Sequence, residues 1–282
     1  MGWTLTTSLD EFRTAAGEFL AADPAENTVL LTIVERLGRD GLNVYGELPP
    51  RFGWWRGPDG AVAGACLRTP PWGQRLGRMP VAAAEDLARR LAEDGDRPDA
   101  VAGEHRTTLA FATEWQRITG RDWQVDHNER LFRLGELTPP PSPPAGHARA
   151  AGPADRETVA RWLVEFCVEA GLQPPADPAA DADQRIAGGT LLLWEADGRP
   201  VSLAGASPAA AGMSRIGPVY TPPADRGRGY ASVLTAAVTR HAQAGGADEV
   251  LLYTDLANPV SNAIYQRLGY RPVSDAVEIA FT

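Results

Sequence analysis

Apolar residues recur at three- and four-residue spacing in several stretches, and each such stretch predicts an amphipathic helix. The first covers 8–22, with Ser8 as N-cap and Glu11 three positions later, the reciprocal capping pattern. Val29, Leu30, Ile33, Val34 and Leu37 line one face of a second helix over 27–37. Two more follow over 81–93 and 107–120. Residues 52–56 and 61–68 flank Gly57-Pro58-Asp59-Gly60 and read as a hairpin. The first residues of the chain, 101–104 and 129–137 have strand character.

The second half runs through a similar order. A strand at 147–151 leads to a helix over 155–170. Strands at 189–195 and 200–206 meet at Ala196-Asp197-Gly198-Arg199, another hairpin turn. A strand at 213–221 precedes a helix over 229–245 with Val233, Leu234, Ala237, Val238 and His241 on one face. The apolar run at 249–254 suits a buried central strand. A helix over 258–268 and a strand over 273–281 close the chain. The Pro-, Ala- and Asp-rich stretch 173–183 predicts a surface loop. The fold class is α/β (mixed α+β), and the shared order points to duplication of one fold, a mixed sheet flanked by helices in each copy.

Between the halves lies Pro139-Pro140-Pro141-Ser142-Pro143-Pro144. Such a run forms neither helix nor central strand and favours extended polyproline II. It predicts a linker over 139–146 between domains at 1–138 and 147–282.

Composition narrows the classes. A length of 282 residues suits two ordinary domains, and 44% hydrophobic with 22% charged residues excludes wholesale disorder. The formal charge is −9, and every basic residue is Arg. An acidic chain without lysine argues against a nucleic-acid partner. No apolar run approaches the ~20 residues of a membrane span. Nor does the N-terminus carry a basic-then-apolar leader. With Cys66 and Cys167 far apart, the expectation is a cytoplasmic protein without disulfides or a membrane partner. His105, His127, His147 and His241 are scattered without ligand spacing, so no metal is expected.

The chemistry concentrates in Gly217-Pro218-Val219-Tyr220-Thr221-Pro222-Pro223-Ala224-Asp225-Arg226-Gly227-Arg228-Gly229-Tyr230-Ala231, between a predicted strand and a predicted helix. Two glycines let the backbone turn and approach a ligand closely. The first helical N–H groups have no intrahelical partner and carry the positive end of the dipole, which makes an anion site suited to a pyrophosphate. Arg226 and Arg228 add charged donors. A Walker A loop is excluded by the lack of lysine, and a dinucleotide fingerprint fits poorly because Ser232 follows where a third glycine belongs.

Arg226-Gly227-Arg228-Gly229-Tyr230-Ala231 fits the Arg/Gln-x-x-Gly-x-Gly/Ala signature of the GCN5-related N-acetyltransferases (GNAT). Asn258-Pro259-Val260-Ser261-Asn262-Ala263-Ile264-Tyr265 is similar to that family's next motif, and Leu268-Gly269-Tyr270 to its ending. Three ordered motifs over about 213–273 make the chain resemble this family, with two tandem acyl-CoA N-acyltransferase-like domains.

The resemblance implies acetyl-CoA as co-substrate, with no metal. It implies that Arg226, Gly227, Arg228, Gly229, Tyr230 and Ala231 hold the pyrophosphate and that Val219, Tyr220 and Thr221 pair with the pantetheine arm. Asn258 would contact the cofactor and cap its helix. Tyr265 would be the general acid that protonates the departing thiolate. Trp162, Glu165 and Phe166 would line the acceptor side. The general base stays open among Glu165, Glu169 and Asp255. Gln74-Arg75-Leu76-Gly77-Arg78-Met79 keeps only part of the signature, so the first half reads as a degenerate copy that does not bind CoA productively. Trp54, Trp55, Trp72, Trp115 and Trp123 read as packing residues. The implied function is N-acetyl transfer to a primary amine of a small molecule or peptide, by direct attack in a ternary complex, in a monomer or homodimer. The competing class is a non-catalytic acyl-CoA sensor or scaffold.

Overall fold

The computed structural model describes residues 2–282. Its first half runs β1 (Gly2–Thr6), α1 (Leu9–Ala22), α2 (Thr28–Asp40), β2 (Arg51–Arg56), β3 (Val62–Arg68), β4 (Gln74–Leu76), α3 (Val81–Glu93), β5 (Ala100–Glu104), α4 (His105–Thr119) and β6 (Trp123–Leu134). The same order then repeats: β7 (His147–Ala150), α5 (Arg156–Glu169), α6 (Pro178–Ala187), β8 (Leu191–Ala196), β9 (Arg199–Ala206), β10 (Met213–Tyr220), α7 (Tyr230–Ala244), β11 (Glu249–Asp255), α8 (Pro259–Arg267) and β12 (Tyr270–Phe281).

Local chemistry accounts for the element ends. Ser8 caps α1 by accepting the Glu11 N–H at 3.3 Å. The stretch expected to be a surface loop at 173–183 instead holds α6. Asp177 caps it by accepting the Ala179 and Ala180 N–H groups at 3.1 and 3.0 Å, and Pro178 stands at its first position. A cap followed by proline is a helix start, and the Ala-rich turn behind it packs Ala182 into the core. β4 was not anticipated as a strand. Of the five tryptophans expected to pack, Trp54, Trp55 and Trp115 are buried, Trp123 is partly buried, and Trp72 is exposed. Residues 139–146 form neither helix nor strand.

The chain divides into two compact units: Met1–Leu131 with Val273–Thr282, and Phe132–Pro272. The divisions fall within β6 and β12, not in the proline run. In the first unit the strand order is β1-β2-β3-β4-β5-β12. β12 pairs antiparallel with β5, Ala276 to Ala280 opposite Glu104 to Ala100. In the second unit the end of β6 is followed by β11-β10-β9-β8-β7.

The cores follow this division. Val277, Ile279 and Phe281 are buried against Trp3, Trp55, Phe111 and Trp115 in the first unit. Phe132 is buried against Leu234, Leu252, Tyr265 and Tyr270 in the second. On the opposite face of the second unit's sheet, Val159 and Trp162 of α5 pack on Leu191, Leu193, Leu203 and Tyr220. Each sheet is therefore completed by a strand from the far end of the other half of the sequence.

Candidate functional site

β10 and β11 are parallel neighbours from Met213 opposite Glu249 to Ile216 opposite Leu252. Their pairing stops there, although β10 continues to Tyr220 and β11 to Asp255. On its other side β10 stays paired with β9, with an irregularity between Ile216 and Val219. Beyond Ile216 the edge of β10 toward β11 is thus released from this ladder, which leaves main-chain groups there without β11 as partner. Val219, Tyr220 and Thr221 lie along this stretch.

The loop after β10 passes through one 3-10 turn, Pro223–Asp225, and enters α7 at Gly229. Gly227 and Gly229 have φ of +76° and +84°, a conformation that costs a side chain about 1–2 kcal/mol. The first bond of the helical ladder runs from the Val233 N–H to the Gly229 carbonyl at 3.3 Å. No side chain caps α7. The donors of its first turn therefore point outward from the helix start, with two exposed glycines in front of them. Pro144 of the proline run stands beside Gly229, 3.9 Å from where a Cβ would be.

Arginines surround this donor array. Arg226 donates through Nε to the Thr221 carbonyl at 2.8 Å and through Nη2 to Glu169 at 2.6 Å, and it lies over the Tyr220 ring at 5.9 Å. Tyr220 donates its hydroxyl to Glu165 at 2.9 Å. Burial first, then the Glu165 carboxylate, pushes that phenol up to about 12. Arg226, Tyr220, Glu165 and Glu169 thus form one linked group joining the loop to α5. Of the expected acceptor residues, Trp162 is buried with its ring 6.3 Å from Tyr220, Phe166 is partly buried, and Glu165 is accessible.

Asn258 caps α8, its Oδ1 accepting the Ser261 N–H at 3.0 Å. Asn262, which the sequence did not mark out, donates to the carbonyls of Asp255 and Asn258 at 2.9 and 2.7 Å and so fixes the end of β11 to the start of α8. Asp255 accepts the Ala257 N–H at 2.8 Å, so its carboxylate holds the turn after β11. Tyr265 is 8% exposed, with its ring 6.5 Å from Phe132 and 6.1 Å from Tyr270. Burial pushes its hydroxyl up to about 12.

The matching place in the first unit is closed. β4 and β5 are also parallel, Gln74 opposite Val101 and Arg75 opposite Ala102. Beyond that register the strands stay in contact: a Cβ on Gly103 would fall 2.8 Å from the Leu76 Cβ. The loop that follows spends its donors on the chain itself. Gly77 N–H bonds to the Ala65 carbonyl and Arg78 N–H to the buried Asn27 side chain, each at 2.9 Å, and Pro80 has no N–H to offer.

A parallel pair that parts beside a glycine loop and a helix start, in a mixed sheet flanked by helices, defines the acyl-CoA N-acyltransferase fold class. Residues 156–270 match the Acetyltransferase (GNAT) family, which is what this part of the chain is similar to. A mycothiol acetyltransferase from Nocardioides sp. (strain ATCC BAA-499 / JS614) is 30% identical over 139 residues, covering 48% of this chain and 45% of that protein. The chain thus spans about half the length of this curated relative. Among solved structures, a GCN5-related N-acetyltransferase from Sphaerobacter thermophilus aligns over 98% of this chain and 94% of its own, with a TM-score of 0.65 and 18% identity. A GNAT-family acetyltransferase from Colwellia psychrerythraea aligns over 100% of both chains, with a TM-score of 0.58 and 12% identity. These likenesses are of fold, and they extend over both units.

No helix among the described residues is long and apolar enough to cross a membrane. Among them, no group of three His, Cys, Asp or Glu could hold a metal ion.

Proposed function

We propose that the second unit transfers the acetyl group of acetyl-CoA to a primary amine of a small molecule or peptide. The observation that carries this reading is the released edge of β10 beside the uncapped start of α7. A pantetheine arm needs exposed main-chain groups in an extended stretch, and a pyrophosphate needs clustered N–H donors and cations. The main-chain groups of 219–221 other than the Tyr220 and Thr221 carbonyls, which Ser202 and Arg226 occupy, are offered for the first need, and Arg226, Gly227, Arg228, Gly229, Tyr230 and Ala231 for the second. Among the described residues none engages the Asn258 amide nitrogen, which stands at the start of α8 for a further contact.

In the reaction the amine nitrogen attacks the thioester carbonyl carbon. The C–N bond forms, the C–S bond breaks, the amine loses a proton and the thiolate leaves. Main-chain N–H groups of the released β10 edge polarise the carbonyl. Glu165, tied to Tyr220, and Glu169, tied to Arg226, are carboxylates that α5 brings to this loop, and Glu165 is our candidate to accept the amine proton. Tyr265 is assigned to the departing sulfur. Its raised pKa lies well above a thiol's reference of ~8.5, so its role is to hold the sulfur by a hydrogen bond from a phenol that stays neutral. The closed strand pair and spent loop donors support a first unit without a cofactor site.

Calorimetric titration with acetyl-CoA tests the reading, beside an Arg226→Glu/Arg228→Glu variant. Micromolar binding at one site per chain, lost in the variant, is expected. Thiol release is then followed with amino sugars, polyamines, amino acids, peptides and mycothiol-related amines, the last because one relative is named a mycothiol acetyltransferase. Binding without thiol release for any amine would overturn the transferase reading. Two sites per chain would overturn the assignment of the first unit.

A further inference from the structure

Asp225 ends the 3-10 turn immediately before Arg226, and its side chain is only 6% exposed. A buried carboxylate at the base of an anion-binding loop is an electrostatic conflict, because its charge repels the phosphate that the loop's donors attract. Arg199, at the first position of β9, answers it. Its Nη1 donates to Asp225 Oδ2 at 2.9 Å and its Nη2 to Oδ1 at 2.7 Å, a two-pronged pair. Arg228 lies 4.0 Å from Oδ1. These arginines, Arg199 first, hold the Asp225 carboxyl below the usual range, so it is charged whenever the pair is formed. Arg199 is itself half exposed and keeps three of its five N–H donors uncommitted to Asp225.

We propose that Arg199 is a cofactor-positioning residue. Paired with Asp225, it cancels the buried charge beneath the loop, so that the loop presents net positive potential to the phosphates of an acyl-CoA. The proposal rests on the acyl-CoA reading above and adds to it a residue outside the Arg226-to-Ala231 motif, in a different hairpin.

The test compares acetyl-CoA with S-acetylpantetheine, which has the same thioester and arm without the nucleotide diphosphate. Wild type, Arg199→Ala, Asp225→Asn and the Arg199→Ala/Asp225→Asn double variant are titrated and assayed, and thermal melts confirm that each is folded. Arg199→Ala is expected to weaken acetyl-CoA binding about tenfold or more, since it leaves a buried anion unpaired. Its kcat/KM for S-acetylpantetheine should match the wild type. Asp225→Asn should retain acetyl-CoA affinity, and the double variant should regain most of what Arg199→Ala loses, because the repelling charge is gone. If the double variant binds no better than Arg199→Ala, or if both co-substrates suffer equally, the pair is structural only and the proposal falls. A folded wild type that binds no acetyl-CoA would instead overturn the acyl-CoA reading and this proposal with it.

Discussion

Tyr265 packs in the core through its ring and is proposed to have a second role through its hydroxyl, so one substitution separates the two. Its ring fills the core against Phe132 and Tyr270, whereas no described residue hydrogen-bonds its hydroxyl. Tyr265→Phe keeps the ring and removes only the oxygen. We expect stability unchanged within about 1 kcal/mol and turnover lowered roughly 100-fold, in the range that one preorganised hydrogen bond to developing charge contributes. Unchanged turnover would leave Tyr265 as packing alone. Asp155 gives a residue-scale test of pH dependence. It accepts two bonds from Arg149 at 2.7 and 2.8 Å and one from the Gly152 N–H at 2.8 Å. The Arg149 bonds, the larger cause, hold its carboxyl below the usual range. A depressed folded value means the stabilisation is present above the unfolded value of ~3.9 and is lost as pH falls below it. Asp155→Asn should therefore cost about 1–2 kcal/mol in urea unfolding at pH 7, and the gap to wild type should shrink by pH 3. A gap that is constant with pH would mean that the charge is not what stabilises.

The loop between β10 and α7 shows what is legible in a sequence and what is not. Its signature is local: two glycines and two arginines in a fixed order, between a strand and a helix, and the structure gives both glycines the left-handed conformation. Gly229→Ala should destabilise by about 1 kcal/mol through backbone strain yet weaken acetyl-CoA binding tenfold or more, because the helix start must shift. Equal affinity measured by calorimetry would show that the loop tolerates the shift. Most helices and hairpins were also legible, because capping and turn residues sit within a few positions of what they cap. The Arg199–Asp225 pair was not: its partners are 26 positions apart and meet only because the β9 hairpin folds beside the loop. The helix at Pro178–Ala187 was hidden by composition. Pro, Ala and Asp read as a loop when counted, but as cap, first position and helix when taken in order. The first unit's matching loop was half legible: Met79 ends a partial signature in the sequence, whereas the bond from the Arg78 N–H to Asn27 needed the fold.

At the scale of the molecule, the proline run drew the expected division between contiguous halves, because it is the strongest local break in the sequence. Strand pairing is long-range and leaves little trace in local composition, so the placement of the last strand had to come from the structure. β12 changes unit along its length: Tyr270 is buried in the second unit's core, while Val277, Ile279 and Phe281 are buried in the first unit's. This has a direct consequence for truncation. Ending the chain at Pro272 removes three buried side chains and the strand beside β5. At about 1.5–3 kcal/mol each, the side chains alone amount to roughly 5–9 kcal/mol, comparable with the whole stability of an ordinary domain. We expect the first unit, at the other end of the sequence, to unfold. Hydrogen exchange should rise across β5 and α4 and change little across β8 and β9. The opposite pattern, with exchange rising in β8 and β9 while β5 and α4 stay protected, would mean that each half is stabilised by its own sequence and that the shared strands are incidental.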